Sequence, residues 1–148
     1  NDFFEKGKMP SVDEIILYLE AQQIKDVDMF DFEELGRFDL PKYAIIGSGY
    51  SSRHIYKVAN NLLKAVRDLQ IPNVKIRDSK VGSRDDEWIL VDFPNMGIHL
   101  LTQEARPEVD LENSWTNPVS EEEVYQREMY LRKLKRKDDI KPKQNFFQ

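Results

Sequence analysis

Residues 43–69 read YAIIGSGYSSRHIYKVANNLLKAVRDL, and this stretch decides the fold class. Tyr43-Ala-Ile-Ile46 is a short apolar run with β-branched residues, the signature of a strand. It enters a Gly47-Ser48-Gly49 turn, behind which Ser51 and Ser52 stand as candidate N-caps. Ile55, Val58, Ala59, Leu62, Val66 and Leu69 then recur at helical spacing. They predict an amphipathic helix of about five turns that stops before Pro72.

Working upstream, Val27–Phe32 reads as a second strand and Glu33–Pro41 as the loop between the two. Before it, Ser11 and Glu14 form a capping box, and Val12, Ile15, Ile16 and Leu19 give a helix running to about Gln23. Residues 1–10 lack periodicity, end in Pro10 and read as an arm. Downstream, Val74–Arg77 is a weak strand and Ser79–Glu87 a charged loop.

Trp88–Phe93 and Met96–Leu101 are two apolar runs separated by Pro94-Asn95, which makes a hairpin. A two-residue turn there pairs Phe93 with Met96, Val91 with Ile98 and Ile89 with Leu100, one wholly apolar face for the core. The other face carries Trp88, Leu90, Asp92, Gly97, His99 and Leu101. A slip of one residue inverts this assignment, and proline fits poorly in the primed hairpin turns. Such a mixed aromatic and polar face belongs either to a protein interface or beneath another element covering Trp88. Glu104–Leu111 reads as a short turn or helix limited by Pro107, and the core pattern stops after Trp115. The order of elements predicts an α/β domain: a mixed β-sheet with helices packed on one face.

The remainder is an extension with its own charge. Residues 1–125 hold 14 Lys and Arg against 24 Asp and Glu, whereas residues 126–148 hold 8 against 3. Ser120-Glu-Glu-Glu123 is a second capping box, and Arg132, Lys133, Lys135, Arg136 and Lys137 crowd the other end. Few apolar residues interrupt them, so a helix projecting from the body is expected, with residues from Lys141 disordered unless bound. An acidic body with a basic tail does not fit a duplex DNA reader, although the tail suits RNA or an acidic partner. The 148 residues make one domain, 11–115, flanked by the arm and the extension at 116–148. No apolar run reaches the roughly 20 residues of a membrane-spanning helix. With no cysteine and only His54 and His99, neither thiolate nor histidine-rich metal chemistry is expected, and no cofactor is called for.

Gly47-Ser48-Gly49 at a helix start has two readings: a phosphate cradle, or a glycine turn into a capped helix. Both the dinucleotide and Walker fingerprints are incomplete. Nucleotidyl transfer needs two carboxylates two residues apart on the following strand, and no such pair follows Ser48. Asp26 and Asp28 have the spacing but precede the turn. Arg53 and His54, in the first turn of the long helix, are either solvated or in contact with an anion or a partner's carboxylate. Nothing around either histidine forms a nucleophilic triad.

Several of these pieces, in this order and spacing, resemble the ribosomal silencing factor (Iojap, RsfS-type) family. They are Tyr43-Ala-Ile-Ile-Gly-Ser-Gly-Tyr-Ser-Ser-Arg-His54, the Gly82 to Trp88 spacing, Trp88-Ile-Leu-Val-Asp92, His99, and Arg106…Asp110-Leu111-Glu112…Trp115. The chain departs from the family pattern at Lys42, Pro107 and Val109. The resemblance implies a nucleotidyltransferase-like topology without metal carboxylates. It further implies a non-enzymatic factor that docks on the large ribosomal subunit through ribosomal protein L-fourteen and blocks small-subunit joining. Mapped here, the docking residues are Trp88, Leu90, Asp92, His99 and Leu101. Ser52, Arg53, His54 and Arg106 become candidate anion or partner contacts, and Arg132, Lys133, Lys135, Arg136 and Lys137 candidate contacts to ribosomal RNA. The basic extension and a start at Asn1 rather than methionine point to a mitochondrial member acting in large-subunit assembly with companion proteins. A bacterial or plastid location and a nucleotide-binding enzyme are the alternatives.

Overall fold

The computed structural model describes residues 2–74, 80–117, 122, 125–126 and 128–134. Two helices come early in the chain, α1 (Val12–Ala21) and α2 (Ser52–Arg67). Among the described residues there are five strands, β1 (Lys25–Asp31), β2 (Tyr43–Gly49), β3 (Lys80–Val81), β4 (Trp88–Phe93) and β5 (Met96–Thr102). Two short helices follow, α3 (Ala105–Val109) and α4 (Leu111–Thr116). The strands form one mixed sheet in the order β1-β2-β5-β4-β3, with only β2 and β5 parallel.

Local chemistry accounts for the helix starts. At α1, Ser11 Oγ accepts from the Glu14 amide and Glu14 Oε1 accepts from the Ser11 amide. This reciprocal pair satisfies two of the orphan donors of the first turn. At α2 it is Ser51, not Ser52, that caps, accepting from the amide of His54 at 3.1 Å. Ile55, Val58, Ala59, Leu62, Leu63 and Val66 are buried along one stripe of α2. Each of the larger ones contributes about 1.5–3 kcal/mol of burial, so this face, rather than intrinsic propensity, holds the helix.

The hairpin register is as read from the sequence: Phe93 pairs with Met96, Val91 with Ile98 and Ile89 with Leu100. Asn95, at φ 65°, supplies the left-handed turn residue that Pro94 cannot. Alternation then builds two apolar layers. Ile45, Ile89, Val91, Ile98 and Leu100 meet α1 and α2 on one face, where both long helices lie. Ala44, Ile46, Trp88 and Leu101 meet Phe32, Leu111 and Trp115 on the other.

Several expectations need correction. Gly47-Ser48-Gly49 is not a turn but the end of β2, paired with Leu100, Leu101 and Thr102. A Cβ at Gly47 would collide with Ile24 and one at Gly49 with Ile55, so close packing inside the ladder, not turn geometry, selects glycine there. The third strand lies at Lys80–Val81, within the stretch read as loop, and pairs with Val91 and Leu90. Val74 belongs to no strand, and residues 75–79 lie outside the described residues. The arm is anchored: Phe4 is buried in the core against Tyr18, and the Gly7 amide donates to the Leu69 carbonyl. The capping box at 120–123 lies, apart from residue 122, outside the described residues. Residues 128–134 are helical, but they do not project from the body. Leu134 is buried and Leu131 packs on the second core layer.

Candidate functional site

The sheet face opposite α1 and α2 carries Trp88, Leu90 and Asp92 from β4 and Gly97, His99 and Leu101 from β5, as the hairpin pairing requires. It is not the open surface expected of an interface. Trp88 is 5% exposed, His99 8% and Leu101 fully buried, while Leu90 is half-buried and Asp92 exposed. The cover comes from elements the strand pattern does not contain. Trp115 of α4 packs against His99 at 5.1 Å between ring centres, and Tyr130 stacks on Trp88 at 5.0 Å and 15°.

Beneath that cover the two polar groups pair with each other. The Trp88 indole N–H donates to His99 Nδ1 at 3.1 Å. Burial pushes the His99 pKa down to about 3, so the imidazole is neutral at physiological pH. Beside them lies a cavity of about 230 Å³, whose lining includes Trp88, Leu90, Asp92, Gly97, His99 and Trp115. Four of the five expected docking residues therefore surround one cavity. Leu101 does not line it and belongs to the second core layer.

The loop before β2 helps wall this cavity. Arg37 makes a two-pronged contact with Asp39, both bonds at 3.0 Å, and donates to the Ser114 carbonyl of α4 at 2.9 Å. The guanidinium holds the Asp39 carboxyl below its ordinary value. Sequence reading missed both residues, and their only signal was an Arg-x-Asp spacing in a loop.

The candidate anion contacts are mostly committed internally. Tyr50 donates its amide to His54 Nδ1 at 3.0 Å, which places the ring proton on Nε2, and that nitrogen donates to the Gln22 carbonyl at 2.9 Å. Both ring nitrogens are occupied, which corrects the expectation of an external contact through the His54 ring. Arg106 Nη1 donates to the Asp26 carbonyl and to Ser48 Oγ, and its Nε pairs with Glu112 at 3.2 Å. Arg106 thus ties β1 and β2 to α4 rather than presenting a free cation. Ser52 is half-buried in the first turn of α2 and Arg53 exposed beside it. Arg132 and Lys133 are exposed on the last described helix, and Lys135, Arg136 and Lys137 lie outside the described residues.

The family model for "Ribosomal silencing factor during starvation" matches residues 6–146. The chain belongs to the ribosomal silencing factor family. Its sequence is 32% identical over 113 residues to the mouse "Mitochondrial assembly of ribosomal large subunit protein 1", covering 74% of this chain and 47% of that protein. It is 26% identical over 92 residues to the ribosomal silencing factor of Haemophilus influenzae, covering 62% and 86%. It is also 28% identical over 126 residues to the mitochondrial "ATPase synthesis protein 25" of Yarrowia lipolytica, covering 70% of the chain but 18% of that protein. The chain thus spans about half of the mouse relative and under a fifth of the Yarrowia one.

Among solved structures, a Chromobacterium violaceum protein aligns with a TM-score of 0.56 at 25% identity, covering 74% of this chain and 90% of that one. A Bacillus halodurans protein shares the fold with a TM-score of 0.54 at 17% identity, over 71% and 92%. For this member of the silencing factor family, two groups of the residues carrying the resemblance come together in space. Trp88, Asp92 and His99 lie around the cavity, and Ser48, Arg106 and Glu112 form the tie between sheet and α4.

Proposed function

We propose that the chain is a non-enzymatic, ribosome-associated factor that docks on the large ribosomal subunit through the sheet face opposite α1 and α2. Its protein contact there is ribosomal protein L-fourteen, and by occupying that surface it holds back joining of the small subunit while the large subunit matures. The observation that carries this reading is the family match over residues 6–146, which spans the whole sheet. The face supports it: Asp92 is exposed and Leu90 half-buried beside an apolar cavity, an acidic and apolar surface suited to a basic protein.

The name of the mouse relative supports a mitochondrial setting and a role in large-subunit assembly. Exposed Arg132 and Lys133 suit ribosomal RNA beside the protein contact. The test is sedimentation with purified mitochondrial subunits. The chain should travel with large subunits and reduce their joining to small ones. Equal association with both subunits, or unchanged joining at saturation, would contradict the reading.

A further inference from the structure

His99 carries a ring N–H that has no hydrogen-bond partner among the described residues. An indole nitrogen can only donate, so the bond from Trp88 makes Nδ1 the unprotonated nitrogen of His99 and places the ring proton on Nε2. No described residue partners Nε2, although His99 is only 8% exposed and lines the cavity. The donor faces the cavity, where an acceptor brought from outside can reach it.

Gly97 keeps the approach to that donor clear. A Cβ at Gly97 would stand 3.6 Å from His99 Nε2 and 3.5 Å from Leu90 Cδ1, so the bare glycine leaves open the space in front of the ring. Around that space the walls are mostly apolar surface, with Phe32, Tyr43, Trp88 and Trp115 among them. A dry apolar cavity of about 150 Å³ accommodates benzene, so about 230 Å³ holds one substituted ring and is too small for a nucleotide. Among ring side chains, phenylalanine has no acceptor, tryptophan only donates and histidine accepts but is polar on both sides, whereas tyrosine combines an apolar body with an accepting oxygen.

We propose that this cavity is an anchor pocket for a tyrosine side chain presented by the protein that docks on this face, with the phenol oxygen accepting from His99 Nε2–H. The proposal rests on the docking reading above and deepens it. Exposed Asp92 at the cavity's edge makes the pocket continuous with the proposed docking surface. One ring buried in a largely apolar pocket is the kind of contact that dominates a protein interface.

Two arms test it on the full chain, with p-cresol as the probe for the ring. In the first, p-cresol and toluene are titrated while the ¹H–¹⁵N signals of the His99 ring and the Trp88 indole are followed. p-Cresol should bind roughly three- to tenfold more tightly than toluene, the worth of one neutral hydrogen bond, and should shift the Nε2 signal. Gly97→Ala makes only ordinary van der Waals contacts, so it should keep the melting temperature while abolishing p-cresol binding. Equal affinity for both probes, or cresol binding that survives Gly97→Ala, would overturn the pocket's chemistry.

In the second arm, large-subunit binding is compared for the wild type, Gly97→Ala and Asp92→Lys. Both variants should bind at least tenfold more weakly. Loss with Asp92→Lys alone would overturn the anchor and leave the docking face standing. Loss with neither would overturn the docking face, and with it the partner as the source of the ring.

Discussion

Trp88 on β4 donates its indole N–H to Nδ1 of His99 on β5 at 3.1 Å, diagonally across the hairpin. This one bond satisfies the only donor of a buried tryptophan ring and fixes the tautomer of a buried histidine. It lies between two cover groups, Trp115 from α4 and Tyr130 from the extension. The face read from sequence as an interface is therefore also a second, small core.

Trp88→Ala is consequently a stability mutation as well as a binding mutation. Truncating the ring opens a void beside Trp115 and removes the donor to His99, and should cost about 3–5 kcal/mol of unfolding free energy. Trp88→Phe should cost less, keeping the ring stack while losing the hydrogen bond. Urea denaturation of both, beside Val91→Ala in the opposite core layer, checks this. A Trp88→Ala melting temperature equal to wild type would contradict the burial of this ring.

His99 should leave a signature in the pH dependence of stability. Its folded pKa is pushed down to about 3 from an ordinary 6.5, because burial disfavours the charged ring. Above pH 6.5 both folded and unfolded chains hold it neutral, and it has no effect. Between about 6.5 and 3 the unfolded chain takes up a proton that the folded chain refuses. Stability therefore falls with falling pH, by at most about 1.4 kcal/mol per pH unit from this group. His99→Gln should flatten the slope between pH 6.5 and 4, and parallel curves for the two proteins would contradict the assignment.

Gly47 separates packing from phosphate binding. Gly47→Ala drives a methyl group into the Ile24 side chain and should cost about 1–3 kcal/mol. Differential scanning calorimetry reads the loss. The same variant should show no change in nucleotide binding by isothermal titration, and measurable nucleotide affinity in the wild type that the variant loses would revive the cradle reading.

Arg132 and Lys133 are exposed and available to RNA phosphates. Replacing both with alanine should weaken large-subunit binding and lower the salt slope of log Kd by about one to two. An unchanged slope would mean that these side chains meet only solvent in the complex.

What the sequence made legible follows from the range of each interaction. The hairpin register was readable because alternate residues of β4 and β5 are apolar and Pro94-Asn95 leaves room for only two turn residues. The stripe and cap of α2 were readable because both are local. The cover over Trp88 was not, since Tyr130, Leu131 and Leu134 are sparse apolar residues in a charged segment whose placement depends on tertiary contact. Glycines within a ladder look like turn glycines until the neighbouring Ile24 and Ile55 are placed. His54 looked free because Gln22, which accepts from its ring, is 32 residues away. Arg106 likewise reaches Asp26 and Ser48 across 80 and 58 residues.

Site-specific photocrosslinking on large ribosomal subunits distinguishes the two faces of the sheet. A photoreactive residue at position 92, on the proposed docking face, should capture ribosomal protein L-fourteen. The same residue at position 57, exposed on α2 across the sheet, should not. Capture of L-fourteen from position 57 but not from position 92 would contradict the docking face.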